Sequence, residues 1–129
     1  MRRGLIEPVH GRSQFAQFRR PSGRGSSGPV RVRFVDGAEH GDPGIRVAYA
    51  IARRFGSAVA RNRARRRLRS AVDEVAPHLR AGAYLVLPDP QVGDMEFTVL
   101  VGAVRDAMMG AARGGIFPSA PAPGTGGAP

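Results

Sequence analysis

Between positions 61 and 69 the chain reads Arg61-Asn62-Arg63-Ala64-Arg65-Arg66-Arg67-Leu68-Arg69, six guanidinium groups in one short stretch. A guanidinium stays charged at any physiological pH and donates two parallel hydrogen bonds, a geometry suited to phosphate. On a solvated helix, signs usually alternate so that neighbours pair. Here seven like charges run from Arg54 to Arg69, and they repel one another unless a polyanion relieves them. A membrane surface is a poor fit, because the apolar residues between the arginines are mostly Ala and Val, too small to anchor a helix in lipid. Nucleic acid fits better.

Other chemistry has weaker support. His10, His40 and His78 lie far apart, and none forms a metal-ligand pair. Asp89, Asp94 and Glu96 are close enough in sequence to suggest a divalent-ion site, but a turn at Asp89 and a helix cap at Asp94 explain them more simply. Neither a nucleophile-elbow motif nor a phosphate-binding loop is present. A catalytic centre carried by this chain is therefore not expected.

Composition agrees. The 129 residues hold 20 basic and 10 acidic side chains, for a net charge of +10, and every basic residue is Arg. Such an excess favours salt-sensitive binding to a polyanion. Cysteine is absent, which removes disulfides and thiolate metal sites from consideration. Glu7, Pro8 and His10 interrupt any apolar run after Met1, and no stretch reaches the roughly 20 apolar residues of a membrane span. A soluble, cytoplasmic protein is expected: one small domain over 11–113, a flexible arm over 1–10 and a disordered Gly/Pro/Ala-rich tail over 114–129.

The elements that must position these residues can be read in order. Ser13 can cap a short helix carrying Phe15 and Phe18, a pair that reads either as core or as a stacking platform for unpaired bases. Residues 21–29 read as a Gly/Ser loop. Val30, Val32 and Phe34 alternate with Arg31 and Arg33, the period of a strand with a basic outer face. Turn residues from Asp36 to Gly44 and a strand over 45–52 suggest a hairpin. Ser57 caps a helix over 57–75, whose stripe Ala60, Ala64, Leu68, Ala71, Val72 and Val75 opposes the cationic side. After Pro77, the run Tyr84-Leu85-Val86-Leu87 reads as a buried strand. Asp94 then caps a last helix from 95 to about 113, with Phe97, Val101, Val104, Met108 and Ala111 on one face. The order α-β-β-α-β-α makes a two-layer α/β sandwich.

The run Arg46-Val47, then Ala50-Ile51-Ala52-Arg53-Arg54-Phe55-Gly56-Ser57-Ala58-Val59-Ala60-Arg61-Asn62-Arg63-Ala64-Arg65-Arg66-Arg67-Leu68-Arg69, closely resembles the signature of the bacterial ribonuclease P protein component. In that family an Arg-Val-Gly strand and a Lys-Lys pair precede a Gly-Asn-Ala-Val turn and Arg-Asn-Arg-x-Lys-Arg-x-x-Arg. The resemblance covers about 12–113. It implies a small mixed sheet with a left-handed crossover into the basic helix, and a partnership with a catalytic RNA that uses Mg²⁺ to remove the 5′ leader of precursor transfer RNA, with no protein oligomer required. Arg53, Arg54, Arg61, Asn62, Arg63, Arg65, Arg66, Arg67 and Arg69 would then bind the catalytic RNA. Phe15, Phe18, Phe34 and Arg46 would line the leader cleft. Pro88-Asp89-Pro90 stands where the family has Ala-Arg-Pro, so an anion replaces a cation. The remaining alternatives are a ribosomal or ribosome-assembly protein and a self-sufficient metal-dependent nuclease.

Overall fold

A computed structural model of the chain describes residues 6–8, 15–37 and 44–113. Five strands, β1 (Ile6–Pro8), β2 (Gly23–Ser27), β3 (Val30–Asp36), β4 (Ile45–Tyr49) and β5 (Gly82–Pro88), form one mixed sheet in the order β1-β4-β5-β3-β2. Two helices, α1 (Ala58–Val75) and α2 (Phe97–Ala112), cover one of its faces. The expected α/β sandwich is present, with more strands than anticipated.

β5 is central because it is the most apolar strand. Ala83, Tyr84, Leu85 and Val86 are all buried, so both of its faces are covered, as a continuous apolar run demands. It pairs parallel with β4 and antiparallel with β3. That placement corrects the expected hairpin: β3 and β4 are not neighbours, since β5 lies between them. Their connection has to cross only two strand spacings, about 9–10 Å, an easy reach for residues 37–44.

The true hairpin lies earlier. Residues 21–29, expected to be a loop, contain β2, which pairs with β3 from Gly23↔Phe34 to Ser27↔Val30. Gly28 takes φ +54 at the first position of the two-residue turn, the backbone that a Gly-first hairpin turn requires. The composition Gly-Arg-Gly-Ser-Ser has low strand propensity, so tertiary packing makes this strand. Gly25 is the key residue. A Cβ there would lie 2.1 Å from the Ala107 carbonyl oxygen, so only glycine lets α2 lie directly against β2.

Ile6–Pro8 also corrects an expectation, because this part of the supposed arm forms an edge strand parallel to β4. The rest of that arm, the Ser13 cap, His10, His40 and the tail over 114–129 lie outside the described residues.

α1 begins as expected, with the Ser57 hydroxyl accepting from the Ala60 amide at 3.1 Å. It buries Ala64, Leu68, Ala71, Val72 and Val75 and passes into a 3-10 turn, Ala76–His78, at Pro77. α2 starts later than expected. Asp94 closes the 3-10 turn Pro90–Gly93 through its own amide, and the cap is Glu96, whose carboxylate accepts from Val99 N at 3.3 Å. Val104, Met108 and Ala111 are buried as the spacing predicts, joined by Leu100, Ala103, Ala107 and Ala112. Phe97 and Val101 pack only partly.

Candidate nucleic-acid interface

The helices occupy the sheet face carrying Val30, Val32, Phe34, Ile45, Val47, Tyr84 and Val86. Strand alternation turns the intervening residues to the other face. There Phe18 rests on Val35, Ala48, Ala83 and Leu85, with Leu87 alongside. Phe15 meets Phe18 edge-on at 6.5 Å and remains 45% exposed. Phe18, Val35, Ala48, Ala83 and Leu85 are buried and Leu87 is half-buried, while the Phe15 ring beside Phe18 stays partly open.

Arginines share this second face. Arg33 lies between Arg24 on β2 and Leu85 on β5, and Arg31 between Ser26 and Leu87. Arg46 stands beside Ala83. Arg24 and Arg33 are directly paired positions, with Cβ atoms about 4.5–5.5 Å apart, an arrangement that destabilises a sheet when the charges are alike.

Two expected cleft residues are corrected by burial. Phe34 is 0% exposed on the helix side, its ring 4.9 Å from that of Tyr84. Phe18, on the face away from the helices, is only 2% exposed, so it packs into the apolar cluster there and offers no ring to a base. Arg31, Arg33 and Arg24 were absent from the expected cleft set. The alternation of Arg31 and Arg33 with Val30, Val32 and Phe34 already carried the signal for two of them.

α1 holds the second cationic surface, on the opposite side of the sheet. Asn62, Arg63, Arg66 and Arg69 are exposed, while Arg61 and Arg65 lie along one flank. Arg65 donates to Asn62 Oδ1 at 3.2 Å and Arg61 to the Gly56 carbonyl at 3.3 Å. Arg67 departs from the expected set. Its Nε donates to the Val92 carbonyl at 3.1 Å, a terminal nitrogen donates to that of Met95, and its guanidinium lies 6.0 Å from the centre of the Phe97 ring. Following Ala64 by three positions, Arg67 sits at the edge of the apolar stripe and braces the segment leading into α2. Arg63 donates from Nε to Gly93 O at 3.0 Å on the same segment.

Arg53 and Arg54 lie in the 3-10 turn Arg53–Phe55, directly before α1. Arg53 is exposed, and Arg54 pairs with Asp89 at 2.8 Å. Among the described residues no three His, Asp or Glu side chains gather to hold a metal ion, and no helix is long and apolar enough to cross a membrane. His78 is exposed at the end of α1.

Arginine surfaces on both sides of a small mixed sheet, one on a helix and one beside an exposed aromatic ring, define an RNA-binding α/β sandwich. The family model for ribonuclease P matches residues 7–111, and the chain belongs to the ribonuclease P protein family. It is 34% identical over 106 residues to the ribonuclease P protein component of Coprothermobacter proteolyticus, covering 82% of this chain and 83% of that one. To the corresponding protein of Chloroflexus aurantiacus it is 41% identical over 88 residues, covering 65% and 64%. Its fold resembles that of the Staphylococcus aureus RNase P protein, with TM-score 0.65 at 16% identity over 79% of this chain and 92% of that one. The Thermotoga maritima RNase P protein gives TM-score 0.62 at 18% identity over 72% and 86%.

Proposed function

We propose that this chain is the protein subunit of a cytoplasmic ribonuclease P, in which a catalytic RNA, with Mg²⁺ held by that RNA, removes the 5′ leader of precursor transfer RNA. The outer face of α1, with Arg61, Asn62, Arg63, Arg65, Arg66 and Arg69, grips the catalytic RNA, and Arg53 and Arg54 extend that grip. The sheet face away from the helices receives the single-stranded leader, with Phe15 stacking on a base and Arg24, Arg31, Arg33 and Arg46 meeting its phosphates.

The observation that carries this reading is the Arg24 and Arg33 pair. Two like charges in directly paired positions on the sheet face away from the helices, with Arg24 exposed and Arg33 half-buried, are costly unless a polyanion lies across them. The test is binding of the reconstituted ribonucleoprotein to precursor transfer RNA with and without its leader. Replacing Arg24 and Arg33 together by Ala should weaken binding only when the leader is present. Equal weakening on both substrates would remove the leader from this face.

A further inference from the structure

Asp89 holds an unusual position for a carboxylate beside an RNA-binding surface. Its backbone is fixed at both groups: its amide donates to Pro29 O at 2.8 Å, and its carbonyl accepts from Val92 N at 3.1 Å. Pro88 and Pro90 restrict the chain on either side. Asp89 stands at the capping position just before the turn Pro90–Gly93, where an aspartate ordinarily accepts from the turn that follows, yet its side chain makes no such bond. The carboxylate instead accepts from Arg54 at 2.8 Å. Arg54 lies in the turn ahead of the arginine helix, and both partners remain open to water, with side-chain exposures of 56% and 36%. A solvated pair of this kind exchanges readily, because water screens it and the guanidinium fork accepts phosphate as well as carboxylate.

We propose that Asp89 is an internal competitor for phosphate at Arg54. In the free protein it occupies the guanidinium, and in the complex a phosphate of the catalytic RNA displaces it. Asp89 thereby weakens the grip on RNA and limits how many phosphate contacts the basic face makes. The inference rests on the proposal that this face binds the catalytic RNA.

The test measures binding of an in vitro transcribed bacterial ribonuclease P RNA across 50–200 mM salt. D89N keeps the shape and removes the charge. It should bind more tightly than wild type at low salt, with a salt slope steeper by about 0.7–0.9 for one recovered phosphate contact, so that its advantage shrinks roughly threefold across that range. D94N makes the same charge change at an exposed position on the same segment and should gain less. In an R54A background, D89N should give no advantage. If D89N binds no more tightly than wild type, if D94N matches it, or if its gain survives R54A, the competitor role is overturned. R66A/R69A distinguishes the underlying reading. Loss of binding there upholds the RNA grip of α1 whatever D89N does, and full affinity there would remove the basis of both.

Discussion

Arg67 donates from Nε to the carbonyl of Val92 at 3.1 Å, so one arginine of the basic stretch acts within the fold. Its neighbour Arg66 is exposed and makes no hydrogen bond or ion pair among the described residues. Replacing each by Ala should therefore separate two properties. Arg67→Ala should lower stability by about 1–3 kcal/mol, since bonds from a charged donor to partly buried carbonyls are lost. Arg66→Ala should leave stability within about 0.5 kcal/mol and flatten the salt slope of RNA binding by about 0.7–0.9. Urea melts and salt titrations on both variants check this, and a reversed pattern would contradict the assignment.

Phe15 and Phe18 should behave as differently. Phe18 is enclosed by Val35, Ala48, Ala83 and Leu85, so Phe18→Ala should cost about 3–5 kcal/mol of stability. Phe15→Ala should cost far less stability but about 1–3 kcal/mol of leader-dependent binding if the ring stacks on a base. Comparing substrates with and without a leader isolates that contribution. A loss equal on both would make Phe15 purely structural.

Gly25→Ala should be among the most disruptive small substitutions. The added Cβ meets the Ala107 carbonyl oxygen at 2.1 Å and the Ala111 amide nitrogen at 2.6 Å, backbone atoms that can move only if α2 lifts from β2. Overpacking of this kind costs typically about 1–3 kcal/mol. A thermal melt unchanged by this substitution would contradict the close approach of α2.

Stability should also fall at alkaline pH for an identifiable reason. Burial pushes the Tyr49 and Tyr84 hydroxyls well above the ordinary value of 10.0. Above pH 10 the unfolded chain releases these protons while the folded chain retains them. The fully protonated state below pH 10 is thus the more stable one, and stability drops by up to about 1.4 kcal/mol per pH unit for each tyrosine. Tyr84 donates to Arg80 O at 2.6 Å, whereas the Tyr49 hydroxyl is buried with no hydrogen-bond partner among the described residues. Tyr49→Phe should accordingly be neutral or stabilising at pH 7 and flatten the alkaline slope, as urea melts at pH 8, 10 and 11 can show.

Local pattern carried much of this account. Ser57, the stripe from Ala64 to Val75 and the run around Tyr84 announced their roles through capping, helical period and apolar length. Partner choice among strands was less legible, because turn residues between Asp36 and Gly44 state only that the chain reverses, and not that β5 enters between β3 and β4. β2 was hidden by its glycines and serines, which form a strand only because β3 and α2 support it. For the site, helical period located the basic face, but Arg67 joined it because charge alone does not distinguish an arginine at the stripe's edge from one facing outward. Phe34 was misplaced by the resemblance and not by the pattern: its alternation with Arg31 and Arg33 sets it opposite the basic face, where it is buried under the helices.

The central claim is that this chain assists a catalytic RNA and does not itself cut. The most direct measurement is leader removal from precursor transfer RNA at low Mg²⁺, by the protein alone, by a bacterial ribonuclease P RNA alone and by the two together. The account predicts cleavage only, or far faster, in the combined reaction and none by the protein alone. Cleavage by the protein alone, or no gain on combining them, would contradict it.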